Sequence, residues 1–506
     1  MAWRKSRIAS QIFFFILFLA LGIKVSQGFT GAPWNLFPRF DPLAAFIVSL
    51  GAKELSLAFF WGAILTIALT FLMGRIFCGW ICPLGSLLEW TSRPIPRGRR
   101  KIGYFYIYAG LYLLVFALSF AAVGKLWPVI LDPITIIQRT FVASLHPAVG
   151  WLLKFAGDVF YLIDPFQGIV DLTDKLWRWV GLLPQGELRF YRFSLLFLGF
   201  VLLLIFLNKL APRFWCRALC PLGALLTMMG RLSPLKLGIN KEACNWCGLC
   251  ADLCPIVPPK AERIDVRADC WRCADCIAFC PQKALSFVWT KPVIQPLTFN
   301  PSRRAFIGSV LGAAATMIFL HSDSMIRPNS LFLIRPPGAK VKLSHGGLDE
   351  TEFLSRCIRC GLCWKVCPTN GLQPAGSEGG LESFWTPVLI PRIGYCDYGC
   401  TACGEVCPTG AIEKLKLEDK RKRQIGLAYI DQKRCIPYSL GLPCTVCEEM
   451  CPVPEKAILM EEQRVGGSSI LLPRVLPERC IGCGICENKC PVSGEAAIRV
   501  YTPFVV

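Results

Sequence analysis

The spacing of cysteine limits what this chain can fold into more than any other feature. Twenty-eight cysteines among 506 residues divide into seven sets of four, with none left over. Cys244, Cys247, Cys250 and Cys254 read C-x-x-C-x-x-C-x-x-x-C-P, and the spacing recurs at Cys270, Cys273, Cys276, Cys280, at Cys357, Cys360, Cys363, Cys367 and at Cys480, Cys483, Cys486, Cys490. Cys396, Cys400, Cys403, Cys407 and Cys435, Cys444, Cys447, Cys451 are looser versions. A [4Fe–4S] cube needs one thiolate per iron. A short loop wraps three of them, and in two-cluster ferredoxins the last cysteine of each run serves the other cluster. The spacing therefore predicts one cluster on Cys244, Cys247, Cys250 and Cys280, and its twin on Cys270, Cys273, Cys276 and Cys254. The proline after each fourth cysteine has a fixed φ and no N–H, so it helps turn the chain at the ligand. Structural zinc uses separated C-x-x-C pairs rather than a triad with C-P. Disulfides need neither the spacing nor the prolines.

The seventh set is split. Segments 74–87 (GRIFCGWICPLGSL) and 212–225 (PRFWCRALCPLGAL) form an internal repeat, each following an apolar stretch and each carrying C-x-x-x-C-P. Two helix ends related by a pseudo-two-fold axis would bring Cys78, Cys82, Cys216 and Cys220 together. Four converging thiolates suit a seventh [4Fe–4S] cluster; a mononuclear zinc or iron site, or a reversible dithiol, would use the same residues.

Hydrophobic residues make up 54% of the chain, too many for an ordinary soluble protein. Apolar stretches at 8–23, 55–73, 103–123 and 193–207 are candidate membrane spans, with a fifth at 305–320; several are shorter than the roughly 20 residues that cross a bilayer core. Arg4, Lys5 and Arg7, the basic run 93–101, and Lys209, Arg213 and Arg217 all fall on one side of a four-span topology, which the positive-inside rule makes cytoplasmic. Segments 27–53 and 124–191 then face the other side, and 141–163 reads as interfacial helices, with a further span as the alternative. The net charge of +20 is partly this bias, and no nucleic-acid motif accompanies it. Lys420-Arg421-Lys422-Arg423 reads as a solvated hairpin turn, or else a dock for an acidic partner. Ser302-Arg303-Arg304-Ala305-Phe306 resembles a twin-arginine export signal, although positive-inside anchoring would also explain the two arginines. Export in the folded state is what runs already loaded with clusters would need, and with no evident cleavage site the segment is expected to stay as an anchor.

These motifs resemble two known families. The two C-P repeats followed by paired ferredoxin runs resemble NapH/MauN-type membrane iron–sulfur proteins. Residues 302–506, with the twin-arginine start, LIRPPGA (333–339) and FLSRCIRCGLCWKVCP (353–368), resemble NapG-type four-cluster ferredoxins. The resemblance implies a natural fusion of mixed fold: a four-helix transmembrane domain at 1–235, a cytoplasmic α+β ferredoxin-like two-cluster domain at 236–296, a transmembrane anchor and linker at 297–340, and a periplasmic four-cluster domain at 341–506. It further implies the bacterial inner membrane, quinol as electron source, and a periplasmic reductase or c-type cytochrome as acceptor. Similar four-cluster subunits pair their first run with the fourth and their second with the third. Carried over, the ligand sets become Cys357, Cys360, Cys363, Cys490; Cys480, Cys483, Cys486, Cys367; Cys396, Cys400, Cys403, Cys451; and Cys435, Cys444, Cys447, Cys407.

The chain has three histidines, His146, His321 and His345, none central in a clear span, and no C-x-x-C-H, so neither a bis-histidine membrane haem nor an attached c-type haem is expected. Nucleotide-binding motifs are lacking as well. Quinol oxidation needs a proton acceptor, for which Asp132, Asp164 and His146 are the candidates. Asp41-Pro42, Asp132-Pro133 and Asp164-Pro165 are equally explained as helix N-caps with proline at the first position. Three functions compete: a quinol-oxidising electron-transfer subunit, a quinone-independent relay from a cytoplasmic donor, and a metal- or disulfide-reducing maturation factor. A maturation factor hardly needs so long a wire.

Overall fold

Every one of the five apolar stretches is helical. A computed structural model describes residues 2–31, 33–55, 57–92, 104–161, 167–181, 189–254, 270–290, 303–326, 333–344, 347–465 and 468–502. The stretches fall on helices Ala2–Ser26, Leu57–Met73, Tyr104–Ala122, Ser194–Leu207 and Arg303–Ile326. Among the described residues, Trp3–Ser26 is the one segment long and apolar enough to cross a bilayer, and only 28% of its apolar window is buried. The core helix of a soluble protein would be covered on most sides. Other helices also leave apolar side chains uncovered, among them Leu195, Leu202 and Phe206 on Ser194–Leu207 and Leu311, Ile318 and Phe319 on Arg303–Ile326.

The chain divides into two units. The first comprises Met1–Gly22, Leu36–Phe141 and Leu195–Met317. Its ferredoxin part is a two-stranded antiparallel sheet, Leu235–Ile239 against Leu285–Trp289, enclosing two short helices, Leu249–Leu253 and Asp275–Ala278, that pack on each other. The second unit comprises Ile23–Asn35, Val142–Ser194 and Ile318–Val506. It repeats the plan with short sheets, Leu427–Ile430 against Ile498–Tyr501 and the hairpin Ile458–Val465 with Ser468–Val475. The α+β ferredoxin-like expectation holds in both.

The cysteine runs share a backbone form that their sequence explains. In all four regular runs both neighbours of the second cysteine are left-handed: Trp246 and Gly248, Arg272 and Ala274, Arg359 and Gly361, Gly482 and Gly484. Such a turn aims successive N–H groups inward, a concave anion site typical of iron–sulfur loops. The fourth cysteine is extended, with φ/ψ of −71/118 at Cys254, −62/115 at Cys367 and −56/124 at Cys490, because a residue before proline is kept out of the helical region. That stops each short helix at its ligand. Neither Tyr395 nor Asp397, Gly399 or Thr401 in the looser second run adopts the left-handed form.

One expectation is corrected. Lys420-Arg421-Lys422 closes a helix, Leu417–Lys422, rather than turning a hairpin, and Lys420 is buried at 3% exposure.

Candidate iron–sulfur sites

The two C-P repeats meet within the first unit. Cys78 lies on the helical turn Ile76–Trp80 and Cys216 on the π-helical turn Trp215–Leu219, while Cys82 and Cys220 each stand just before the proline that opens a helix, Pro83–Ser92 and Pro221–Gly230. The arginine three residues before each first cysteine reaches across to the other repeat. Arg75 Nη2 donates to the Cys216 carbonyl (2.7 Å) and Arg213 Nη1 to the Cys78 carbonyl (3.2 Å). The glycine three residues after each second cysteine donates its N–H to that sulfur, Gly85 to Cys82 Sγ (3.4 Å) and Gly223 to Cys220 Sγ (3.2 Å). This reciprocity is the signature of a pseudo-two-fold axis. All four thiols are buried, and their charges act on one another. Burial pushes the Cys216 thiol up to about 11 and those of Cys82 and Cys220 well above the usual range. Bare Cys82, Cys216 and Cys220 thiols keep their protons, and a bound metal centre must displace them.

The same arginines border the ferredoxin part. The buried Trp271, between Cys270 and Cys273, has the Arg213 guanidinium 4.4 Å and the Arg75 guanidinium 5.9 Å from its ring centroid. A Cβ on Gly79 would stand 2.8 Å from the Trp271 carbonyl oxygen, so glycine is what lets the residue after Cys78 approach this loop. Beyond it, a cavity of about 70 Å³ is lined by Cys244, Cys247, Cys250 and Cys280, the set expected from the crossed-ligand rule. Cys276 in turn is acted on by Cys270 and Cys273 of its own run and by Cys254 and Cys250 of the other. The N-terminal helix is tied to this region: Trp3 Nε1 donates to the Arg272 carbonyl (3.0 Å), and Arg4 and Arg7 pair with Asp275.

In the second unit the pairing of runs differs from the expectation. Cys407 faces Cys357, Cys360 and Cys363, and Cys367 faces Cys396, Cys400 and Cys403. Cys490 faces Cys435, and Cys451 faces Cys480 and Cys483. First therefore pairs with second, and third with fourth. The inter-run helices explain it: Leu362–Val366 packs on Ala402–Val406 and Val446–Glu449 on Ile485–Lys489. Each sequential pair closes its own small ferredoxin with the shortest loop, and the crossed-ligand rule then acts within the pair.

The quinol-site candidates part company. Asp132 caps the helix Pro133–Thr140, accepting from Thr135 N (2.8 Å), and Asp41 caps Pro42–Ala52, accepting from Leu43 N (2.9 Å) and Ala44 N (3.2 Å). The N-cap reading holds for both, yet it does not exhaust them. Both carboxyls are buried and act on each other electrostatically, and Asp41 Oδ2 and Asp132 Oδ1 have no hydrogen-bond partner among the described residues. Burial raises the pKa of both, so each carboxyl holds a proton more readily than a free one. His146 belongs to the second unit. Its Nδ1 accepts from the buried Lys365 Nζ (2.6 Å) and its Nε2–H donates to the Gly181 carbonyl (3.0 Å). Burial, then the Lys365 charge, holds its pKa down at about 3, leaving no ring nitrogen for quinol. Asp164 lies outside the described residues. Sequence reasoning passed over Asp41; its Asp-Pro step was the available signal.

Comparison with known proteins agrees with the thiol geometry. Residues 55–103 and 192–240, which hold the two C-P repeats, match one family model, and residues 353–373 and 473–493 match another; each is described as a 4Fe-4S binding domain. The methylamine utilization ferredoxin-type protein MauM of Methylorubrum extorquens is 36% identical over 214 residues, which cover 40% of this chain and 89% of MauM. The ferredoxin-type protein NapG of Escherichia coli is 35% identical over 192 residues, 36% of this chain and 78% of NapG. No solved structure matches. Iron–sulfur electron transfer is thus the business of this chain, which belongs to the MauM and NapG family of ferredoxin-type proteins.

Proposed function

We propose that this chain is a membrane-bound conductor that takes electrons from quinol and delivers them to a periplasmic reductase or multihaem c-type cytochrome, in the manner of a NapH-type and a NapG-type protein joined end to end. The domains are those expected from sequence: a four-span membrane region at 1–235, a cytoplasmic ferredoxin at 236–296, an anchor at 297–340 and a periplasmic four-cluster domain at 341–506. The observation that carries this reading is how segments sort. Trp3, Arg4 and Arg7, assigned to the cytoplasmic side by charge, bond to residues of the two-cluster ferredoxin. Thr30, Asn35 and Arg189 of the segments assigned to the other side, with the adjoining Arg192, lie in the same unit as the C-terminal domain and bond to it. Thr30 donates to Glu405, Asn35 Nδ2 to the Val406 carbonyl (3.1 Å), Arg189 to the Lys365 carbonyl, and Arg192 pairs with Glu378.

Six [4Fe–4S] clusters on the six runs, and a seventh on Cys78, Cys82, Cys216 and Cys220, would supply one-electron steps at successive sites. The Arg75–Arg213 exchange holds the two C-P pairs together, and the Asp41–Asp132 pair offers a proton acceptor in the same unit.

The test is spectroscopic. Menaquinol or ubiquinol analogues added to isolated membranes should bleach the broad iron–sulfur absorbance, and anaerobically prepared protein should hold seven clusters, six after Cys78 and Cys82 are changed to Ser. Absorbance indifferent to every quinol would overturn quinol as donor. A quinone-independent relay is then the reading to adopt, and the exposed Cys247 beside the half-exposed Trp246 gives a soluble donor access to the cytoplasmic ferredoxin. A count of six in unaltered protein would overturn the seventh site.

A further inference from the structure

Lys420 heads the most basic run of the C-terminal domain, yet it does not face solvent. It is 3% exposed, its ammonium donates to the carbonyl of Asp397, the residue after Cys396, and it lies 5.7 Å from the Tyr398 ring centroid. The Arg421 guanidinium stands 4.6 Å from the centroid of the same ring. Directly beside this loop the two halves of the domain join, for Cys396 N–H donates to the Cys483 carbonyl (2.8 Å). The field of Lys420 reaches Cys396 and Cys400 of the second run and Cys483 of the fourth. No carboxylate pairs with it among the described residues, whereas the first run has its own cations, Arg359 and Arg335, facing Cys357.

Burying an ammonium is costly unless opposite charge is close by. The Asp397 carbonyl is a dipole and the Tyr398 ring a weak partner; neither supplies a full negative charge. A cube held by four thiolates does. Its net charge is negative and grows by one on reduction, so a nearby fixed cation stabilises the reduced form more than the oxidised one.

We propose that Lys420 is a shared potential-tuning charge that raises together the reduction potentials of the two centres meeting at the domain's midline, those on Cys396, Cys400, Cys403, Cys367 and on Cys480, Cys483, Cys486, Cys451. This rests on the reading that those thiols hold clusters. It gives the buried lysine a purpose that the helix Leu417–Lys422 alone does not require. The charge makes the two junction centres easier to reduce than they would be without it, at the place where an electron can cross from one half to the other.

The test uses the whole protein with its clusters in place. Anaerobic redox titration followed by electron paramagnetic resonance would compare the unaltered chain with K420Q, K420M and K420R. Glutamine keeps a donor for the Asp397 carbonyl and loses the charge, so K420Q separates tuning from support. Two components of the titration should move to lower potential in K420Q and K420M while the others stay, and K420R should leave all in place. Unmoved potentials in a K420Q protein of full iron and sulfide content overturn the proposal, as does an equal shift of every component. If K420M and K420Q lose iron while K420R shifts the potentials as far as K420Q, the charge is not the cause and the proposal also fails. Fewer than four clusters in the C-terminal half of the unaltered protein would instead overturn the cluster reading beneath it.

Discussion

Glu89 is the point at which a single substitution should reach the split-thiol site without touching a thiol. It lies on the helix that opens after Cys82, and its carboxylate takes Arg7 Nη1 (2.8 Å), Gln11 Nε2 (2.8 Å) and Arg213 Nη2 (2.5 Å). Arg7 and Arg213 are 2% and 1% exposed, and Glu89 14%. Burial by itself would raise the Glu89 pKa; Arg213 and then Arg7 outweigh it and hold the group at about 2 against an ordinary 4.5. At about 1.4 kcal/mol per unit, that difference amounts to about 3 kcal/mol of stability. Glu89→Gln also takes the carboxylate partner from buried Arg213 and one of two from Arg7, a loss of about 3–5 kcal/mol where one partner of a buried pair is removed. Because the folded-state pKa is depressed, the contribution is complete above the unfolded value and disappears as pH falls through the folded one. Denaturant unfolding in detergent should therefore separate the two proteins by about 3 kcal/mol at neutral pH, and the gap should narrow steadily as the pH is lowered from 4.5 toward 2. Arg213 also holds the Cys78 carbonyl, so the variant should lose iron from the split site ahead of the others. Equal stability at neutral pH, or a gap that does not change with acid, would refute this reasoning.

Ligand pairing in the C-terminal domain can be read by substitution: Cys407→Ser should alter the cluster of Cys357, Cys360 and Cys363, and a spectrum in which only the Cys435–Cys447 cluster changes would restore the first-to-fourth pairing. For the carboxyl pair, Asp132→Asn and Asp41→Asn should each slow reduction by quinol about tenfold to a hundredfold or more, the size expected for a lost acid–base group, with cluster content intact; normal rates in both would remove the pair from the proton path. Cysteine-free labelling tags or protease sites near residue 2 and after residue 502 should react from opposite faces of sealed vesicles, and reaction from one face would end the two-sided topology.

Several features were legible from the chain because they depend on neighbours in sequence. Ligand spacing, the extended residue before proline and the left-handed neighbours of the second cysteine in the four regular runs are all local, as at Cys244–Cys254 and Cys480–Cys490. The reciprocal arginines were latent in the repeat, since Arg75 and Arg213 stand at equal distance before Cys78 and Cys216. What stayed hidden involved contacts between residues far apart. Asp41 finds Asp132, and His146 finds Lys365 across 219 positions. Lys420 looks like part of a solvated charge run until the helix bearing it folds against the Asp397 loop.

Cysteine number and spacing thus determined the cofactor class and the number of four-thiol sets, because three ligands of a cube can be met by one short loop whatever surrounds it. Which run lends its fourth thiolate to which neighbour was decided only by tertiary structure. That choice depends on which short helices pack together, and many pairings satisfy the same local spacing.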